Sequence, residues 1–149
     1  MEEAIEKFLD NYITVGGGST KTNGADFTSK VFDITDSVGA SIMMHIKGTN
    51  ALATGNITFT FQFYEYVNDD TPAWEWIDTP YTVSMNGMND VCVAVVVPKE
   101  VTQVKLASIA NAGTSGNDAN CNAALMEIRF NNLEYANKLI SSLRTALNN

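Results

Sequence analysis

One histidine, two cysteines and only nine basic residues in 149 leave many chemistries without the side chains they need. Hydrolysis through a Ser-His-Asp or Cys-His arrangement has to run through His45, which stands mid-strand on a polar face beside Lys47, with no nucleophile elbow anywhere. A tetrahedral zinc site cannot be assembled from His45, Cys92 and Cys121 alone. Two cysteines make no disulfide framework, so Cys92, inside an apolar run, and Cys121, in a polar loop, read as reduced thiols. The formal net charge of -8 opposes contact with nucleic acid or with an anionic membrane, both of which need clustered Lys and Arg. Long apolar runs are also missing. The longest, Val91 to Val97, is far short of the roughly 20 residues of a membrane helix. Met1-Glu2-Glu3-Ala4 shows no basic segment leading into an apolar one, so no secretory signal is expected.

What the chain does have is alternation. From Asn56 to Tyr64 apolar and polar residues exchange without error, placing Ile57, Phe59, Phe61 and Phe63 on one face of a strand. Thr58, Thr60, Gln62 and Tyr64 take the other face, and a one-residue slip would expose all four apolar side chains. Ala40 to Lys47 alternates too, with Ala40, Ile42, Met44 and Ile46 together. Further strands are expected at Val31–Ile34, Tyr81–Met85, Val91–Val97, Val101–Ile109 (around a bulge) and Ala124–Phe130. Val91–Val97 is apolar on both faces and reads as a central strand, and Ala124, Met126, Ile128 and Phe130 read as the inward set of the last one. Turns are expected at Gly48–Gly55 and at Asn86-Gly87. About seven strands with polar turns and no helix between them give a mainly β chain, an antiparallel β-sandwich or jelly roll.

Both ends carry a helical stripe, so short amphipathic helices are expected there. At the amino end Ile5, Phe8, Leu9, Tyr12 and Ile13 recur at helical spacing, followed by Gly16-Gly17-Gly18-Ser19-Thr20. Residues 1–27 then read as a helical arm on a glycine-rich hinge, 28–131 as the sandwich and 132–149 as a carboxy-terminal helix. Lys21 follows the glycines, but a phosphate loop needs a glycine before the lysine and a buried strand before the loop. At the carboxy end Leu133, Ala136, Leu139, Ile140, Leu143 and Leu147 form a stripe that either covers the sandwich or meets another subunit.

Candidate binding residues are few. Asp69, Asp70, Glu75 and Asp78 offer oxygen ligands for calcium, though acids in a loop are usually only solvated and the EF-hand pattern is absent. Trp74 and Trp76 share a face if the segment is extended, where they cap the core, anchor a protein interface or stack on a sugar. The expected contact residues are Ile5, Phe8, Leu9 and Ile13 of the arm, Trp74 and Trp76, and Leu139 and Leu143 of the last helix. Neither catalytic residues nor a cofactor or metal are expected.

From Val31 to Phe130 the order of features resembles small β-sandwich proteins on the heads of tailed bacteriophages. The resembling elements are Val31-Phe32-Asp33-Ile34-Thr35, then Gly48-Thr49-Asn50 before Gly55-Asn56-Ile57-Thr58-Phe59. Gln62 and a tryptophan at 74 or 76 follow, and last comes Val104-Lys105-Leu106-Ala107-Ser108-Ile109-Ala110-Asn111. The resemblance implies a structural, non-enzymatic role: a decoration or cement protein that binds a major capsid protein or other virion protein. It also implies a homo-oligomer, dimer or trimer, found in virions made in a bacterial cytoplasm. The alternative is a carbohydrate-binding sandwich that serves attachment.

Overall fold

The computed structural model describes residues 2–48, 55–85, 90–129 and 132–148. The chain runs β1 (Glu2–Lys7), β2 (Ile13–Val15), β3 (Thr20–Thr22), β4 (Val31–Asp33), β5 (Ser37–Gly48) and β6 (Asn56–Val67). β7 (Ala73–Ser84), β8 (Asp90–Val96), β9 (Gln103–Asn111), β10 (Ala119–Arg129) and α1 (Asn132–Asn148) complete it. Two antiparallel sheets form a sandwich. Sheet A has the order β1-β10-β5-β8, with β2 also on β10; sheet B has the order β3-β9-β6-β7, with β4 also on β9.

The alternation of β6 sets the core. Ile57, Phe59, Phe61 and Phe63 are all buried, and they meet Ile42, Met44 and Ile46 of β5 and Leu125 of β10 across the sandwich. Each such side chain contributes about 1.5–3 kcal/mol on burial. The expected bulge is present: Thr60 pairs with Ser108 but Phe61 pairs with Leu106, so Ala107 is the extra residue of β9.

Several expectations are corrected. The amino-terminal stripe is not a helix but strand β1, a bend at residues 8–11 and strand β2. The edge of β10 supplies backbone partners from Glu2↔Arg129 to Lys7↔Ala124, and tertiary pairing of this kind overrides a weak local preference. Nor is this segment an arm on a tether. Phe8 is fully buried, 4.9 Å from Phe32 and 5.3 Å from Phe61 between ring centroids, and β3 joins sheet B. The glycines are a packed corner, since a Cβ on Gly17 would sit 1.8 Å from the carbonyl oxygen of Thr114.

Val91–Val97 lies at an edge, not in the centre, because among the described residues β8 pairs with β5 alone. The strand expected at Tyr81–Met85 is the second half of β7, which already starts at Ala73; Pro80 interrupts the sequence signal, yet an edge strand tolerates it. Cys121 is buried in β10. The faces of β10 are also exchanged: Leu125 and Glu127 are buried inside, whereas Ala124, Met126 and Ile128 are half-buried on the outside. Glu127 tolerates the interior because Ser37 Oγ donates to one carboxylate oxygen and the Arg129 guanidinium pairs with the other. The turns expected at 49–54 and 86–89, and Phe130, lie outside the described residues.

Candidate functional site

Register and burial together decide which side chains leave the sandwich. On the outer face of sheet A, Ile5 of β1 stands opposite Met126 of β10, which stands opposite Ser41 of β5, itself opposite Val96 of β8. The next row is Lys7, Ala124, Met43 and Ala94. Two adjacent rows across four strands are therefore mainly apolar. Val96 is 77% exposed, Ile5 67% and Met43 44%.

One row further on, the same face turns polar. His45 lies opposite Cys92, and both ring nitrogens of the histidine are engaged. Nδ1 is 2.5 Å from the Tyr12 hydroxyl and Nε2 is 2.7 Å from Asp90 Oδ1. Lys47 Nζ sits 5.4 Å from the centroid of the Tyr12 ring. Asn122, buried beside them, accepts from the Leu9 N–H and donates to the Leu9 carbonyl, which fixes the 8–11 bend on the sheet. A shallow groove of about 310 Å³ runs between the two halves, from Ile5 and Met43 to Tyr12 and His45. The Tyr12–His45–Asp90 chain links the bend, β5 and β8, so its evident work is to fasten the amino-terminal segment down.

The thiols are sharply different. Cys92 is exposed, while burial pushes the Cys121 thiol up to about 12. At pH 8 one thiol per chain is expected to react quickly with a disulfide reagent, and the second only after denaturation. Two fast thiols in the folded protein would contradict the buried position of Cys121. Linkage gives the sign of the alkaline effect. Above the ordinary thiol value the unfolded chain loses a proton that the folded chain keeps, so stability falls as pH rises toward about 12.

On the outer face of sheet B, Thr58 meets Thr82 (2.9 Å between hydroxyl oxygens) and the Gln62 amide donates to Asp78 at 2.9 Å. Beyond them Tyr64 pairs with Trp76 and Tyr66 with Trp74. Tyr64 lies 5.7 Å from Trp74 and 5.0 Å from Trp76, and Lys105 Nζ sits 4.1 Å over the Trp76 ring. Tyr66 and Trp74 remain about half exposed. The third outward surface is α1, where Leu139, Ile140, Leu143 and Leu147 all stay exposed along one side of a 17-residue helix.

Of the residues expected from sequence to make contacts, Ile5, Trp74, Leu139 and Leu143 are exposed and Trp76 shares the face of Trp74. Phe8 and Leu9 are buried in the core and Ile13 packs against it, because the bend turns those side chains inward. Phe8 and Leu9 have almost no surface to offer a partner, whereas Ile13 keeps part of its own. Sequence reasoning missed Met43, Ala94, Val96 and Met126; the signal was an apolar run at 91–97 without a polar face, which was explained instead by a central position. Among the described residues no group of three or more His, Cys, Asp or Glu is placed to hold a metal ion. Likewise, no helix among them is long and apolar enough to cross a membrane.

No known protein family and no curated protein matches the sequence. Several solved structures are similar to this chain at low identity. A mutant VP2 protein in T=1 particles of infectious bursal disease virus is 12% identical, with a TM-score of 0.49 over 86% of this chain. The structure of the Gx strain of the same virus gives 14% and 0.45, also over 86% of this chain. In both, this chain spans 32% of the matched chain. The CBM22-1 xylan-binding domain from Paenibacillus barcinonensis is 9% identical, with a TM-score of 0.35, over 85% of this chain and 94% of that one. At these values the likeness does not reach to partner or ligand.

Proposed function

We propose that this chain is a virion structural protein that decorates a capsid, in the manner of the cement proteins of tailed-phage heads, and works through protein–protein contacts. The observation that carries the reading is the apolar outer face of sheet A, open in a chain with a formal net charge of -8. Single exposed apolar residues are ordinary, but adjoining rows across four strands are the mark of an interface. Its mechanism is multivalency: a weak contact per subunit, repeated with the symmetry of a lattice, gives high avidity. Mass spectrometry of purified virions from the genome encoding this chain tests it. The chain is expected at a fixed ratio to the major capsid protein, and a chain that is made during infection yet missing from the particles overturns the reading.

A second reading, carbohydrate binding for attachment, draws on the Tyr64–Tyr66–Trp74–Trp76 cluster beside the hydrogen-bonding pair Gln62 and Asp78. Half-exposed indole and phenol rings offer apolar faces to pyranose C–H groups while nearby amide and carboxylate groups meet hydroxyls. A glycan array separates the two. Binding that disappears in Trp74→Ala, with the fold intact, favours attachment.

A further inference from the structure

β8 has the composition of an inner strand and the position of an outer one. Cys92, Ala94 and Val96 on its outer side are exposed, while Val91, Val93 and Val95 pack against the core yet stay only half-buried. The Val97 N–H donates to the Ala40 carbonyl, which fixes the direction in which each residue of the strand hydrogen-bonds. By the alternation of an antiparallel ladder, Val91, Val93 and Val95 turn their N–H and C=O groups to β5. Asp90, Cys92, Ala94 and Val96 turn theirs to the free edge, where no described residue takes them up. The other edges are guarded against strand addition. β7 carries Glu75, Asp78 and Pro80, β1 carries Glu2, Glu3 and Glu6, and β2, β3 and β4 are three residues each. From Val91 to Val96 there is no charge, no proline and no break in register. We propose that β8 of one copy pairs antiparallel with β8 of a second copy, across a twofold axis at Val93.

The free-edge set dictates that register. Asp90, Cys92, Ala94 and Val96 are symmetric about Val93, so Asp90 pairs with Val96 of the second copy and Cys92 with its Ala94. Every free-edge group is then satisfied, in roughly eight backbone hydrogen bonds. The half-buried valines meet too, Val91 against Val95 and Val93 against Val93, so the core of one sandwich runs on into the next. Charge points to the same edge. The one charged residue of β8, Asp90, stands at its end and is tied to His45, so the two carboxylates finish about 20 Å apart. Pairing through β1 would instead set Glu2, Glu3 and Glu6 against their own copies, in a chain whose net charge is already -8. A twofold contact occupies this edge on both copies, so association stops at two, and an apolar edge that would invite aggregation is closed. The pairing leaves the outer face of sheet A open and sets two such faces side by side.

Light scattering is expected to give twice the chain mass, and a single-chain mass at high concentration overturns the proposal. Amide hydrogen exchange in the same sample reads the edge itself. The N–H groups of Cys92, Ala94 and Val96 are expected to exchange about as slowly as those of Val91, Val93 and Val95. Protection that alternates along the strand, with Cys92, Ala94 and Val96 fast, overturns it. Cross-linking reads the register. Native protein, whose exposed thiol is Cys92, is mixed with mass-tagged protein carrying Cys92→Ser and Ala94→Cys. The two thiols then occupy a paired position, about 5.5 Å apart between Cα atoms and within disulfide range. The control is tagged protein with Cys92→Ser and Met43→Cys, whose thiol is exposed on the same face but one strand further in. A mixed disulfide formed about tenfold faster with Ala94→Cys than with the control supports edge pairing. A rate no greater than the control overturns it, because the copies then meet face to face. The inference does not rest on the decoration reading: a paired dimer absent from virions removes that reading and leaves the edge contact standing, and a monomer present in virions does the reverse.

Discussion

Phe61→Ala is expected to destabilise the protein by about 3–5 kcal/mol, the cost of truncating a large core side chain that its surroundings cannot refill. Phe61 is fully buried and its ring lies 5.3 Å from Phe8, 6.1 Å from Tyr81 and 6.3 Å from Phe59. Each neighbour comes from a rigid strand or a pinned bend, so the cavity persists. Thr60→Ala, one residue away on the opposite face, is expected to cost much less, because its side chain is only half-buried. Urea denaturation of both variants checks the pair. Similar midpoints would mean that β6 does not present its phenylalanines to the interior.

Gly17→Ala is expected to be nearly as damaging, on the order of 3 kcal/mol or more, because a rigid backbone stands where the methyl group must go. The added Cβ would fall 1.8 Å from the Thr114 carbonyl oxygen and 2.6 Å from its carbon. That carbonyl cannot simply retreat. Its loop is tied by Asn111, whose side-chain amide donates to the carbonyls of Val15 and Asn117 and whose side-chain oxygen accepts from the Gly113 N–H. The neighbouring Gly18 N–H also donates to the Asn111 carbonyl, from a left-handed φ of 80°. Gly16→Ala is the control, since its nearest atoms would be at 3.5 Å, an ordinary contact. A change of about 0.5 kcal/mol or less is expected there. Equal melting temperatures for the two variants would restore the picture of a flexible hinge.

How far the sequence could be read depended on whether one residue set was polar. β6 was legible because Thr58, Thr60 and Gln62 contrast with three phenylalanines, and β5 because Ile42, Met44 and Ile46 contrast with Ser41, His45 and Lys47. In β10 the contrast fails. Both sets contain apolar residues, and the one carboxylate that seemed to mark the outside, Glu127, is buried between Ser37 and Arg129. The amino-terminal stripe was ambiguous for another reason: a strand followed by a sharp bend spaces Ile5, Phe8 and Ile13 much as a helix does. Only the pairing with β10, more than a hundred residues away, decides between them. Of the candidate site, the tryptophan pair and the stripe of α1 were visible, while the apolar face of sheet A depended on that same distant register.

The placement of β10 between β1 and β5 also governs how the protein comes off the ribosome. β5 and β8 can pair as soon as both are made, but β1 has no partner until Ala119–Arg129 has been made and joins it to β5. At about 5–20 residues per second that wait lasts several seconds, long against the collapse of a short chain. During it Phe8, whose N–H is held by Ala123 of β10 in the finished fold, lacks that anchor. Pairings this distant in sequence also fold slowly once the chain is released. Through that interval the acidic side chains spread along the nascent chain keep one copy away from the next until the last strand slots in.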